Sequence, residues 1–237
     1  MNIFVAVSVL MFSAFLLSFR IPAVEGYQDR RHPVRFWELF SSPQLCVIYT
    51  YTFLLSCSLG FFFSFHSIYS LEQGVSTTIL GTAIMVGSFS QFPFMVFFDR
   101  INKRFRIVDL LTVSGLILTL RWFLYSTILS PETIIPMWLL HGGTYIVIYL
   151  CLADYVHRHV RPELQASGQM MNAVIIMGIS RAAGSALGGA AAHSFGLQTA
   201  FLMAAVLCFA AVALFTTIVR GTNLFRLPAS NEVRGKT

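Results

Sequence analysis

Charge is what this sequence has least of. Asp, Glu, Lys and Arg make up 11% of its 237 residues, where a soluble domain carries roughly 25%. Hydrophobic residues make up 56%, and mean hydropathy is +0.73. A water-soluble fold is excluded, because too little polar surface exists to cover it. Also missing are the short motifs by which soluble enzymes hold phosphates, dinucleotides or catalytic zinc: no P-loop, GxGxxG, HExxH or GxSxG occurs. No enzymatic activity and no cofactor is therefore expected. The four cysteines (Cys46, Cys57, Cys151, Cys208) lie inside apolar stretches, with no zinc spacing and no pair in an exposed loop. That pattern argues against a disulfide framework and a metal site, and reads as small packing residues. Alternating ten-residue strands are absent too, which argues against a membrane β-barrel.

What the sequence has instead is seven continuous apolar runs, each near the ~20 residues a helix needs to cross hydrocarbon. They cover residues 3–19, 45–69, 78–98, 108–129, 134–155, 166–193 and 197–219. The expected fold is an all-α polytopic membrane protein of about seven transmembrane helices. The net charge of +6 does not point to nucleic acid, because of where the cations lie. Apart from Arg121 and Arg181, the 16 Lys and Arg fall within residues 20–35, 100–106, 158–161 and 220–236. These are alternate gaps between apolar runs, and the other gaps hold none. This is the positive-inside pattern. It predicts Met1 outside the cell membrane, with the basic clusters and the C-terminus in the cytoplasm. The first run has no basic region ahead of it, so it reads as a membrane helix at 1–19 and not as a signal peptide. Residues 20–44 read as a cytoplasmic basic linker ending in an interfacial helix around Trp37, or as a plain solvated loop. Residues 45–219 form a six-helix bundle, and 220–237 a cytoplasmic tail.

Within the runs, polar groups are few and each is informative, since ionisable groups in hydrocarbon are costly. Arg121 precedes the outer loop near Pro131 by ten residues, and His141 follows it by ten. In an antiparallel hairpin both lie at similar depth, roughly 9–10 Å below the outer helix ends. Arg121 reads either as a binding cation or as a snorkelling side chain. His141 reads either as a site residue or as a packing histidine, with Gly142 and Gly143 opening space beside its ring. Arg181 sits about 18 Å from the outer end of its run and needs acceptors there. Asp109 and Asp154 lie at cytoplasmic helix ends, where structural salt bridges are expected. No carboxylate lies in the middle of any run, so an anionic solute is one way to neutralise an intramembrane arginine. His66 is expected at the outer interface. Pro93 predicts a kink in 78–98. Gly184 and Gly188 form a GxxxG, which predicts close helix approach.

Three stretches carry a family resemblance. DRINKR (residues 99–104) resembles the DRxGRR-type signature of the major facilitator superfamily, with Asn102 where glycine is usual. LLHGGTY (139–145) and RPELQASGQ (161–169) resemble the tenth helix and following loop of its branch containing lactose permease, nucleoside symporters and phenylpropionate permeases. The twenty-residue spacing from Arg121 to His141 also matches lactose permease. The resemblance runs from about Phe36 to Val219.

The resemblance implies helices six to twelve of a twelve-helix transporter: one extra helix, then a six-helix half-bundle working by alternating access. The candidates for substrate binding or proton coupling are Arg121, His141, Thr144 and Arg181, and the resemblance implies conformational-loop roles for Asp99, Arg100 and Arg104. The implied partners are the lipid bilayer, a small-molecule solute (an organic anion or nucleoside) and an N-terminal six-helix bundle. That bundle is missing or separate, so the chain is a fragment, a mis-started reading frame or a half-transporter. Two departures matter. Thr144 stands where lactose permease has an acid one turn after its histidine, and that permease's seventh-helix acids have no counterpart at residues 60–64. Its proton relay and sugar chemistry are therefore not implied. A seven-helix receptor and a non-transporting membrane subunit are the alternatives. Against the receptor, residues 197–219 hold no lysine for retinal, and no outer loop holds a cysteine.

Overall fold

The computed structural model describes residues 2–20 and 42–222. The linker and tail expected at 20–44 and 220–237, with Trp37, lie almost wholly outside the described residues. The chain divides into two units at Val34 and Arg35. In the first, α1 (Asn2–Ser18) is a 17-residue helix, about 25 Å long. It is apolar all round, with Leu10, Phe12, Phe15 and Leu17 exposed. Ser13 and Ser18 bury no unpaired hydroxyl, since each donates back to a carbonyl within the helix.

Among its described residues the second unit is an all-helical bundle. Six of these helices, some of them interrupted, are long and apolar enough to cross a membrane. They are α2 (Pro43–Glu72), α3 with α4 (Thr77–Phe89, Gln91–Arg104), α5 (Ile107–Ile128), α6 with α7 (Ile134–Leu139, Val147–His159), α8 with α9 (Pro162–Ala173, Ser180–Phe195) and α10 (Leu197–Gly221). With the shorter α1, this is the fold class expected from the apolar runs. Local chemistry sets the ends. Ser42 and Ser76 accept the N–H of Leu45 and Ile79 as N-caps, and Pro43 and Pro162 occupy first turns where a missing N–H is harmless. Gly196 joins α9 to α10 at φ 83°, a conformation that side chains other than glycine's strain to adopt.

α2 is the bundle's centre, packed on both α9 and α10, while α5 packs along α10. Lipid offers no hydrophobic drive for helices to associate, so close van der Waals contact must supply it. The expected GxxxG contact is present between α9 and α2. A methyl on Gly184 would collide with the Cys57 carbonyl, and one on Gly188 with the Phe61 ring. From the other side, a methyl on Gly60 would come within 2.7 Å of the Arg181 backbone.

Several expectations are corrected. The interruption expected at Pro93 falls at Ser90, between α3 and α4. Pro93 has no N–H for the carbonyl of Phe89, so the helix breaks one turn ahead of it. DRINKR is no loop: it forms the last turns of α4, and the chain reverses at Phe105 and Arg106. RPELQASGQ is likewise mostly helical, in α8. His66, expected at the outer interface, is buried within the bundle near the end of α2, its ring stacked on Phe62 at 4.5 Å. Asp154 forms the expected salt bridge, to Arg158 at 2.8 Å. Asn102, at the usual glycine position, donates to the same carboxylate at 2.7 Å, tying α4 to α7. Asp109 occupies the first turn of α5, where the helix dipole favours a carboxylate, beside Arg106 and Arg220.

Candidate functional site

α5 carries Arg121 and the α6–α7 helix carries His141, and the two side chains meet. Nη1 of Arg121 lies 3.0 Å from Nδ1 of His141. A guanidinium offers only donors, so Nδ1 accepts and the imidazole carries its proton on Nε2. Protonating Nδ1 and keeping this bond are mutually exclusive. Both residues are buried, Arg121 completely, which excludes the snorkelling reading. Its charge is held by rings instead. The guanidinium carbon lies 4.4 Å from the Phe62 ring centre, 5.1 Å from Trp122, 5.2 Å from Trp138 and 5.7 Å from Tyr125. A desolvated cation–π contact contributes about 2 kcal/mol, so these rings together replace much of the lost water. Nε and Nη2 of Arg121 and Nε1 of Trp138 have no hydrogen-bond partner among the described residues.

The backbone around His141 is irregular for a reason. Residues Gly142–Ile146 form a π-helical turn, of the kind common at functional sites. Gly142 donates its N–H to Ser90 Oγ at 3.0 Å, and a methyl there would strike Ser90. The glycine therefore lets the π turn butt against the α3–α4 break; it does not open space beside the imidazole. Thr144 is fully buried and bonds the His141 carbonyl at 2.9 Å. Its hydroxyl is thus spent inside the helix.

His141 leads outward to a second cation. Its ring lies parallel to Tyr145, 5.9 Å away, and edge-on to Phe63 at 5.9 Å. The Arg181 guanidinium lies 4.7 Å over Phe63 and in charge contact with the Tyr145 hydroxyl. Unlike Arg121, Arg181, Phe63 and Tyr145 are only half-buried. Next along α9, Ser185 shares a 2.9 Å hydrogen bond with exposed Ser64 of α2. The arrangement is a chain of Arg121, His141, Tyr145 with Phe63, and Arg181, running from the bundle interior to its surface. Chemically, Arg181 offers hydrogen-bond donors and a positive charge beside two aromatic faces. Phe63, Tyr145, Ser64 and Ser185 are the members that sequence reading missed. The signal available was Tyr145, one helical turn after His141. Asp99, Arg100 and Arg104 stand apart from this chain, exposed on the last turns of α4, with Arg100 packed over Phe97 at 5.5 Å. No group of His, Cys, Asp and Glu able to hold a metal occurs among the described residues.

Among the described residues, six membrane-length helices, three of them interrupted, around buried polar groups define a multi-pass membrane protein. The chain matches the MFS_1 like family over residues 1–203, and it belongs to that family. Its fold is similar to that of the nucleoside transporter NupG, with a TM-score of 0.67 at 16% identity over 90% of this chain. A single-substitution mutant of NupG gives a TM-score of 0.68 at 15% identity over 86% of this chain. In each case the chain covers 57% of the other protein's length.

Proposed function

We propose that this chain supplies one bundle of a secondary active transporter that moves a small organic solute by alternating access. The solute is an organic anion or a nucleoside, bound where Arg181, Phe63 and Tyr145 meet, with transport coupled to protons through His141. The observation that carries this reading is a half-exposed guanidinium flanked by two half-exposed rings and joined to a buried Arg–His pair. Membership of the family and the likeness to a nucleoside transporter support it. So does the unequal burial of the helices. In α2, 72% of the apolar window is buried, but only 17% in α3–α4 and in α8–α9. The faces left open are where a second six-helix bundle would sit, and a midplane site between two bundles is the family's working geometry. Asp99, Arg100 and Arg104 would then serve the rocking of the bundles at the basic end, with Asn102 and Asp154 as the latch. The positive-inside pattern supports placing that end in the cytoplasm and Met1 outside.

The test is binding first, transport second. Purified chain is titrated with labelled nucleosides and aromatic carboxylates. R181Q should weaken binding of the preferred class about tenfold or more, the value of one lost charge-assisted hydrogen bond. Unchanged binding by R181Q would remove the proposed site. Proton-driven uptake by the chain co-reconstituted with a six-helix partner should vanish in H141A, and its survival would end the proton role. Uptake by the chain alone would contradict the need for a second bundle.

A further inference from the structure

The interior of the bundle holds more hydrogen-bond donors than its own acceptors answer. Nη1 of Arg121 is spent on His141. The one N–H on Nε and the two on Nη2 have no hydrogen-bond partner among the described residues, and neither have Nε1 of Trp138 and the hydroxyl of Tyr125. These groups share one neighbourhood. The guanidinium carbon lies 5.2 Å from the Trp138 ring centre and 5.7 Å from that of Tyr125, whose hydroxyl is in charge contact with it. Arg121 and Tyr125 are 0% exposed and Trp138 3%, so bulk water does not reach them.

The shortage is of acceptors and of negative charge together. The surrounding rings offer their faces to the cation, but among the described residues no carboxylate bridges to Arg121; Asp154 is paired with Arg158 instead. A water does not correct the shortage, because it accepts two hydrogen bonds and brings two O–H donors of its own. Tyr125 likewise returns an O–H for the N–H it accepts. Only an acceptor without hydrogen lowers the surplus of donors, and only an anion also answers an enclosed charge. Complete burial of the guanidinium restricts that anion to a small one. We propose that a halide ion is held among Arg121, Trp138 and Tyr125 as a resident part of the fold, independently of the solute at Arg181.

The test uses the full chain as W37F, purified in detergent, so that the two indoles flanking Arg121, Trp122 and Trp138, are the emitters. It is exchanged into sodium gluconate and titrated with sodium bromide at constant ionic strength, each point equilibrated overnight. Bromide quenches an indole that it touches, so emission should fall along a saturating curve, and chloride should restore it. W138F and Y125F each remove one donor, and each should raise the bromide concentration at half-saturation about tenfold, the value of one charge-assisted hydrogen bond; Trp122 still reports in W138F. R181Q should leave the curve unchanged. The thermal unfolding midpoint gives a second reading independent of emission: it should be higher in chloride than in gluconate, and less so in W138F and Y125F. Four results would overturn the proposal: quenching that is linear in bromide and unmoved by chloride, equal midpoints in the two salts, half-saturation unchanged in both donor variants, or a loss in R181Q as large as in W138F. The first two together would assign the unpartnered donors to water.

Discussion

The two arginines inside the apolar runs have the same side chain and opposite surroundings. Arg121 is completely buried within one bundle, ringed by four aromatic groups and bonded to a neutral histidine. Arg181 is half-exposed, over a single phenylalanine, on a helix whose apolar length is mostly open. The first is a fully enclosed charge that its bundle answers with rings and one histidine, leaving Nε and Nη2 without a hydrogen-bond partner among the described residues. The second has been left for something outside the unit to complete. The difference teaches that an intramembrane charge is available to a ligand only where its own bundle leaves it accessible.

The largest effect should come from R121Q. It removes the cation around which Phe62, Trp122, Tyr125 and Trp138 are arranged and leaves the His141 acceptor without its donor. Breaking a buried charged contact this way costs about 3–5 kcal/mol, visible as a collapse of the thermal unfolding midpoint in detergent. If R181Q destabilised the chain more than R121Q, the comparison would be inverted. Next, G184L should cost about 1–3 kcal/mol through overpacking, since even a methyl there meets the Cys57 carbonyl. G178A, facing open space, should stay within about 0.5 kcal/mol of the parent or gain slightly. Equal midpoints for the two variants would dismiss the close α2–α9 contact. Replacing the acceptor, H141F should cost about 1–3 kcal/mol by leaving Arg121 Nη1 unsatisfied, and H141N should recover part of it. N102A, losing the bond to Asp154, should cost about 1 kcal/mol. R181Q should shift stability least, within about 0.5 kcal/mol, while reducing solute binding most. That separation of stability from binding is the sharpest check on the contrast between the two arginines.

The shared depth of Arg121 and His141 was legible because hairpin arithmetic needs only sequence positions and a rise of 1.5 Å per residue. A close approach by α9 was legible for a similar reason, since Gly184 and Gly188 lie one turn apart on one face, but that α2 is the partner was not. Facing was not legible. Nothing local in the sequence distinguishes His66, buried against Phe62, from a histidine exposed to water or headgroups, because both lie near the end of an apolar run. Nor could Gly142 be read, because its reason is Ser90, 52 residues earlier in the chain. Thr144 shared the depth of a site residue, but its hydroxyl turns back to the His141 carbonyl, which only the π turn reveals.

By itself, then, the sequence determined that the chain is a multi-pass membrane protein of about seven apolar helices, and how far along its own helix each polar residue lies. These follow from transfer free energies and helix rise, which act locally along the chain. Tertiary structure alone decided which charge is enclosed and which is offered. Burial depends on neighbours from distant helices: Phe62 and Trp138 close over Arg121, while no described helix closes over Arg181 to the same degree. A residue's depth in the membrane belongs to its own helix, but its exposure belongs to the bundle.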